Sequence, residues 1–136
     1  MITALDHVAI AVVSIEEART FYENLGLSVA GIEEVEHEGV RVAMIPCGGT
    51  RIELLEPLSE DSPVARFLER RGPGIHHVCL KSDDIDADDR SLRGDGVELL
   101  RERPGPGAEG AKVQFVHPRS AGGVLVELSE PAGSRS

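Results

Sequence analysis

The chain repeats one pattern of apolar and metal-ligating residues at an interval of about 70 positions. His7 and His77 each open an apolar run and stand 70 positions apart. Glu53 and Glu127 each begin a segment of the form Glu-Leu-x-Glu-Pro and stand 74 positions apart. Such self-similarity is typical of one structural unit used twice. The sequence therefore predicts two copies of a supersecondary unit, each supplying one imidazole and one carboxylate.

Signals for the first helix of each copy keep the same interval. Ser14 with Glu17 matches a capping box, and Gly26 suits the left-handed conformation that ends a helix. Three pairs of residues stand 70 positions apart, namely Ser14 and Asp84, Ile15 and Ile85, and Gly26 and Gly96. Because the cap, the first apolar residue and the stop all stay in register, duplication explains the pattern better than coincidence does.

Each copy is predicted to contain a strand, a helix and then three strands. In the first copy, alternation and turn signals place these elements at 4–13, 15–25, 27–36, 39–47 and 50–56. In the second copy they fall at 75–82, 85–94, 96–102, 111–117 and 123–129. Between the copies, Ser62 and Pro63 begin a short helix that ends at Gly72. The stretch 104–110, rich in Pro and Gly, is predicted to contain no regular structure.

These elements predict one α+β domain over residues 1–136. It consists of a first βαβββ module at 1–58, a linker helix at 59–73, a second βαβββ module at 74–130 and a tail at 131–136. Each potential ligand is followed by a large apolar residue, which would pack under the helices because neighbouring side chains on a strand point to opposite faces. The two tandem modules are therefore predicted to form a curved, partly open sheet around a metal-binding cleft.

Composition limits the classes of partner. The net charge of −10 argues against nucleic acid or an anionic membrane. An N-terminal signal and a long apolar run are both missing, so a cytoplasmic protein is expected. Cys47 and Cys79 are expected to be small buried thiols rather than a disulfide. An anionic substrate would need a locally basic entrance, for which the candidates are Arg70, Arg71, Arg101, Arg103, Lys112 and Arg119.

Several segments outside the potential ligands resemble the methylmalonyl-CoA epimerases of the vicinal oxygen chelate superfamily. They are Asp-Ser-Pro-Val-Ala at 61–65, the His76-His77 pair, and the segment from His117-Pro118 to Gly-Gly-Val-Leu-Val-Glu-Leu at 122–128. The likeness covers nearly the whole chain and implies a glyoxalase-like fold. Glyoxalase I enzymes carry a similar ligand set, so the four ligands alone discriminate poorly.

The resemblance implies a divalent ion held by His7, Glu53, His77 and Glu127, with Glu127 also acting as a catalytic base. Mixed nitrogen and oxygen ligands suit Co²⁺, Mn²⁺, Ni²⁺, Fe²⁺ or Zn²⁺. The implied reaction exchanges the epimers of an acyl-CoA by removing and returning the proton beside the thioester. A cation that holds the developing negative charge lowers the barrier to that step. The resemblance also implies a homodimer.

An epimerase needs an acid–base group on each face of the substrate carbon. Some epimerases of this type carry a glutamate three residues after the turn glycine, but counting from Gly39 reaches Val42. The second acid–base group therefore stays open among Glu36, His37, Glu38, Lys112 and a metal-bound water. Lys112 and His117 are also the candidates for substrate binding.

The sequence also allows other interpretations. A glyoxalase I-type lyase would use the same ligands, and a module that binds drugs or antibiotics would use the same fold without catalysis. His76 is expected to face away from the site. Phe21, Tyr22 and Leu25 are expected in the core because they follow helical spacing with Ala18. Glu56 and Glu130, which precede prolines at strand ends, are expected to be exposed.

Overall fold

The computed structural model describes residues 1–133 and contains strands and helices in the predicted order. The last three residues of the predicted tail lie outside the described part. Eleven elements are numbered in chain order: β1 (Ile2–Ala11), α1 (Ile15–Asn24), β2 (Gly31–Val35), β3 (Val40–Cys47), β4 (Thr50–Pro57), α2 (Pro63–Arg71), β5 (Gly74–Ser82), α3 (Ile85–Gly94), β6 (Gly105–Pro106), β7 (Lys112–Val116) and β8 (Val126–Glu130). Within the described residues, none of the helices is long and apolar enough to cross a membrane.

The backbone divides into two compact units. The first unit contains His7–His76, and the second contains Met1–Asp6 together with the residues from His77 onward. The strand order is β2-β3-β4-β1 in the first unit and β5-β8-β7-β6 in the second, where residues 2–6 of β1 also run beside β5. In each unit the pair of strands at one end of this order is parallel, β1 with β4 and β5 with β8, and the other pairs are antiparallel.

The helices begin and end at the residues that the sequence indicates. The Ser14 and Asp84 side chains accept hydrogen bonds from the backbone N–H groups of Glu17 and Ala87, respectively. Ser62 caps α2 in the same way through Val64, and Gly72 ends that helix with a positive φ of 73°. These contacts satisfy backbone donors that have no partner inside the helix. The predicted bounds of α1 and α3 are therefore confirmed to within one residue, and α2 lies between its predicted cap and its predicted stop but is shorter than the linker at 59–73.

The core of the first unit lies between α1 and one face of its sheet. Val12, Ile15, Ala43, Ile45 and Leu54 are buried together, and Ala18 and Tyr22 pack against them. Ile15, Ala18 and Tyr22 form the face of α1 that meets the sheet. Phe21 lies beside this face rather than within it, and Leu25 follows the last helical residue, Asn24. Their side chains are 61% and 62% exposed, so their predicted burial is wrong.

Three further expectations need correction. Residues 96–102 form only an isolated bridge, Leu99 with Val116, rather than a strand. The stretch at 104–110 contains the two-residue β6 and a 3₁₀ turn at Ala108–Gly110, because Gly105 and Pro106 pair with β7. Cys47 is exposed at the end of β3, whereas Cys79 is buried, and neither cysteine belongs to a disulfide.

Candidate metal-binding residues and relatives

The first unit brings His7 and Glu53 together. His7 lies on β1 beside Arg51 of the parallel strand β4, and Glu53 follows two residues later on the same face of the sheet. The distance from His7 Nδ1 to Glu53 Oε2 is 3.3 Å. Each residue is only 4% exposed. A buried imidazole on β1 therefore faces a buried carboxylate on the neighbouring strand β4.

Arg51 completes this arrangement and was not among the site residues predicted from the sequence. Its Nε donates a hydrogen bond of 2.7 Å to Glu53 Oε2, and its side chain is 28% exposed. This hydrogen bond is charge-assisted. The Arg51 guanidinium supplies a counter-charge for the buried Glu53 carboxylate and fixes its orientation. The signal was available, because residues two apart on a strand share a face.

The second unit repeats the pair with His77 and Glu127. His77 lies on β5, and Glu127 lies on the parallel strand β8 beside Cys79. The distance from His77 Nε2 to Glu127 Oε1 is 2.9 Å, and the two residues are 6% and 7% exposed. Phe115, the β7 partner of Glu127, sets its ring edge-on to the His77 imidazole at 6.0 Å between centroids. This aromatic contact restricts the orientation of the imidazole.

The donor chemistry of both pairs fits a divalent ion. His7, His77 and Glu127 are buried, and each offers one atom of a type that binds metals. Imidazole nitrogen and carboxylate oxygen together suit the divalent ions of the first transition series. Each unit supplies one such pair, as the internal repeat predicts.

Lys112 and His117 lie elsewhere in the second unit. Lys112 Nζ is 2.6 Å from Asp86 Oδ2 of α3. Its position on β7 differs by an odd number of residues from that of Phe115, so Lys112 projects from the face opposite Phe115 and Glu127. His117 Nδ1 accepts a hydrogen bond from the backbone N–H of Arg119, which caps the 3₁₀ turn at Pro118–Ser120. Both candidates for substrate binding thus have structural contacts.

Val42 lies on the same face of the first sheet as Glu53. Its partner on β4 is Leu55, and Met44, two residues on, is opposite Glu53. Val42 is buried and has no titratable group. Glu36 and His37, two of the alternatives, are exposed in the 3₁₀ turn at Glu36–Glu38. The position at which some epimerases carry a glutamate is therefore apolar here.

Comparison with known proteins assigns the chain to a family. The sequence profile of the Glyoxalase/Bleomycin resistance protein/Dioxygenase superfamily matches residues 6–115. The chain belongs to this superfamily. Membership confirms both the resemblance found in the sequence and the predicted glyoxalase-like α+β fold with tandem modules.

Within the superfamily, the chain is similar to methylmalonyl-CoA epimerases. The mitochondrial methylmalonyl-CoA epimerase of Homo sapiens is 43% identical over 93% of this chain and 73% of the human protein. The ethylmalonyl-CoA/methylmalonyl-CoA epimerase of Cereibacter sphaeroides is 44% identical over 96% of this chain and 99% of that protein. A solved methylmalonyl-CoA epimerase in complex with methylmalonyl-CoA and NH₄⁺ matches with a TM-score of 0.95 and 36% identity, and the match covers 100% of this chain and 99% of that chain.

Proposed function

We propose that this protein is a metal-dependent methylmalonyl-CoA epimerase, an isomerase that interconverts the R and S epimers of its substrate. The observation that carries the proposal is a buried His–Glu pair in each unit of a chain that is 44% identical to a named epimerase over 96% of its length. The relatives act on malonyl-type thioesters by name, so the substrate is an acyl-CoA.

His7, Glu53, His77 and Glu127 would together hold one divalent ion. Co²⁺, Mn²⁺, Ni²⁺, Fe²⁺ and Zn²⁺ all suit this donor set. When bound, the ion would supply Lewis acidity that stabilises the negative charge of an enolate. Arg51 would keep the Glu53 carboxylate oriented through the 2.7 Å hydrogen bond. Phe115 would do the same for the His77 ring.

Glu127 would also carry a proton. One oxygen, Oε1, faces His77 Nε2 at 2.9 Å, which fixes the carboxylate beside the imidazole. Carboxylates serve as general bases when they are held within reach of the proton they remove. Glu127 would take the proton from one face of the carbon between thioester and carboxylate. A second group must then return a proton to the opposite face.

The same proposal includes a cytoplasmic homodimer. The superfamily resemblance supports the dimer, and the strands at the edges of both units would be protected if a second copy covered them. Size-exclusion chromatography with light scattering measures the oligomeric state directly. A mass of one chain at micromolar concentration would contradict the dimer and leave the reaction unaffected.

Exchange with deuterated solvent tests the reaction. The purified protein, supplied in turn with each candidate ion, is incubated in D₂O with one methylmalonyl-CoA epimer. We expect deuterium at the α carbon and conversion to a mixture of both epimers, with both effects abolished by a chelator. Absence of exchange with every ion supplied would contradict the proposal. Turnover of a glutathione hemithioacetal under those conditions would instead favour the lyase.

A further inference from the structure

The strand register of the first unit defines which side chains share a face with His7 and Glu53. Glu53 lies opposite Met44 on β3, and Met44 lies opposite Gly31 on β2. Two residues further along, Leu55 lies opposite Val42, and Val42 lies opposite Glu33. Because side chains laterally adjacent in a sheet point the same way, Glu33 is on the face of Glu53.

This face carries few groups that can exchange a proton. Among the described strand residues of the first unit, two acidic side chains lie on this face, Glu53 and Glu33. The other residues on the face, apart from His7 and Arg51, are Gly31, Val35, Val40, Val42, Met44, Pro46, Leu55, Pro57, Ala9 and Ala11. Glu53 is assigned to the ion, so Glu33 is the remaining acid on this face.

Burial agrees with the orientation that the register gives. Glu33 is half-buried and Val35 is buried, whereas the intervening Glu34 is exposed, as is Ile32. This alternation is the pattern of a strand with one covered face. Glu33 therefore projects toward the covered side that also holds Glu53, although β2 is the outermost strand of the unit.

The spacing leaves room for a substrate carbon. Glu33 and Glu53 are separated by two strand spacings of about 4.8 Å and by two residues of about 3.4 Å, which puts their Cα atoms roughly 12 Å apart. Side chains of this length that lean toward each other bring their carboxylates to within several ångströms without contact. A small acyl group beside an ion on Glu53 would lie in that gap.

We propose that Glu33 is the second acid–base residue, serving the face of the substrate carbon opposite to the one that Glu127 serves. This inference rests on the proposed epimerase function. In one direction, Glu127 accepts the α proton, the electrons of the broken C–H bond form the enolate, and the Glu33 carboxylic acid donates its proton to form the new C–H bond. In the other direction the two groups exchange roles. Between turnovers Glu127 gives its proton to solvent and Glu33 takes one from solvent, so the reaction needs no other reactant.

Glu33→Gln tests the assignment, with Glu34→Gln as the matched control. Glutamine preserves size and polarity but cannot act as an acid or a base. Glu34 is the next residue on the same strand and points to the opposite face, where its partner is Arg41. Both variants are incubated in D₂O with the R or the S epimer. Epimer composition and α-deuterium are measured separately.

We expect Glu33→Gln to slow epimerisation about 10²- to 10⁴-fold, the usual contribution of general acid–base catalysis. Exchange without inversion should persist in the one epimer whose α proton faces Glu127. Ion affinity, measured by calorimetry, should match wild type, because Glu33 is not a proposed ligand. Glu33→Asp, which keeps the carboxyl group, should recover part of the rate. Glu34→Gln should epimerise at the wild-type rate.

The possible failures are distinct. Epimerisation by Glu33→Gln within threefold of wild type would overturn the assignment of Glu33. Equal loss of exchange in both epimers would also overturn it, since the enolate would then fail to form at all and Glu33 would have a structural role. Absence of exchange in the wild-type protein would overturn the proposed function, and the role of Glu33 with it.

Discussion

Glu130 Oε1 accepts a hydrogen bond of 2.9 Å from the backbone N–H of Ile85, which joins the end of β8 to the first turn of α3. The first unit contains the same contact, with Glu56 Oε1 accepting from Ile15 N–H at 2.9 Å. A carboxylate at a helix N-terminus satisfies an otherwise unpaired donor and interacts favourably with the helix dipole. Glu56 and Glu130 are half-buried, so their predicted exposure is wrong. Their symmetry in the sequence reflects this repeated junction between strand and helix.

Glu130→Ala should lower the free energy of unfolding by about 1 kcal/mol, the usual effect of removing a side chain that caps a helix. Urea denaturation followed by circular dichroism measures the change. Glu60→Ala, in an exposed loop, is the control and should leave the stability unchanged. A change for Glu130→Ala no larger than that of the control would mean that the carboxylate at β8 does not stabilise α3.

His77→Ala should weaken ion binding by about 100-fold or more, since even substitutions outside the ligand shell reach that size. The variant should remain folded, with its core on the other face of the strand. In wild type, an ion at 100 times its Kd should raise stability by about 2.7 kcal/mol, and the variant should lose this gain. Thermal unfolding with and without the ion measures it. His76→Ala, one residue earlier and in contact with Phe67, is the control. An ion-dependent gain that persists in His77→Ala would remove His77 from the site.

Arg51→Ala should destabilise the ion-free protein by about 1 kcal/mol, a modest value because Arg51 is partly exposed. The physical reason is that the buried Glu53 carboxylate loses its counter-charge. A bound cation would supply that charge, so saturating ion should reduce the deficit to less than half. Arg41→Ala is the matched control, since Arg41 is also partly exposed and pairs with Glu56 at 3.4 Å on the opposite face. The loss of stability in Arg41→Ala should be the same with and without the ion. Equal ion dependence in both variants would contradict an ion at Glu53.

Local signals explain why much of the fold could be predicted from the sequence. Caps such as Ser14 and stops such as Gly26 act within a few residues of the helix end that they define, and the structure retains both. Burial of the helix face was harder to predict. Helical spacing alone did not indicate that Ile15 and Tyr22, rather than Phe21, face the sheet, because that choice depends on how the helix crosses the strands.

The candidate site also contains one feature that the sequence predicts and one that it does not. Strand alternation predicted that His7 and Glu53 would share a face, and their 3.3 Å contact agrees with that prediction. The role of Glu33 could not be predicted, because its position beside Val42 depends on the pairing of β2 with β3. Register is a non-local property. A strand shifted by one residue would turn Glu33 to the other face.

Gln114 shows why residues 96–102 do not form the predicted strand. Its side chain is fully buried, and its amide makes four hydrogen bonds. The Nε2 group donates to Asp89 Oδ1 at 2.8 Å and to the Arg101 carbonyl at 2.9 Å. The Oε1 atom accepts from the Arg101 N–H at 3.1 Å and from the Phe115 N–H at 2.8 Å. The side-chain amide therefore binds both backbone groups of Arg101, as a neighbouring strand would otherwise do.

Gln114→Leu should lower the free energy of unfolding by about 3 kcal/mol. Leucine cannot form hydrogen bonds, so the buried groups of Asp89, Arg101 and Phe115 that bind the amide would lose a partner. Hydrogen exchange should identify the site of the damage. The amides of Arg101 and Phe115 should exchange faster, while that of Leu54, in the core of the first unit, should keep its protection relative to global unfolding. Asp89→Leu combined with Gln114→Leu should cost less than the sum of the single changes, since removing both partners leaves fewer orphaned groups. Additive losses, or unchanged exchange at Arg101, would show that the amide does not hold this segment.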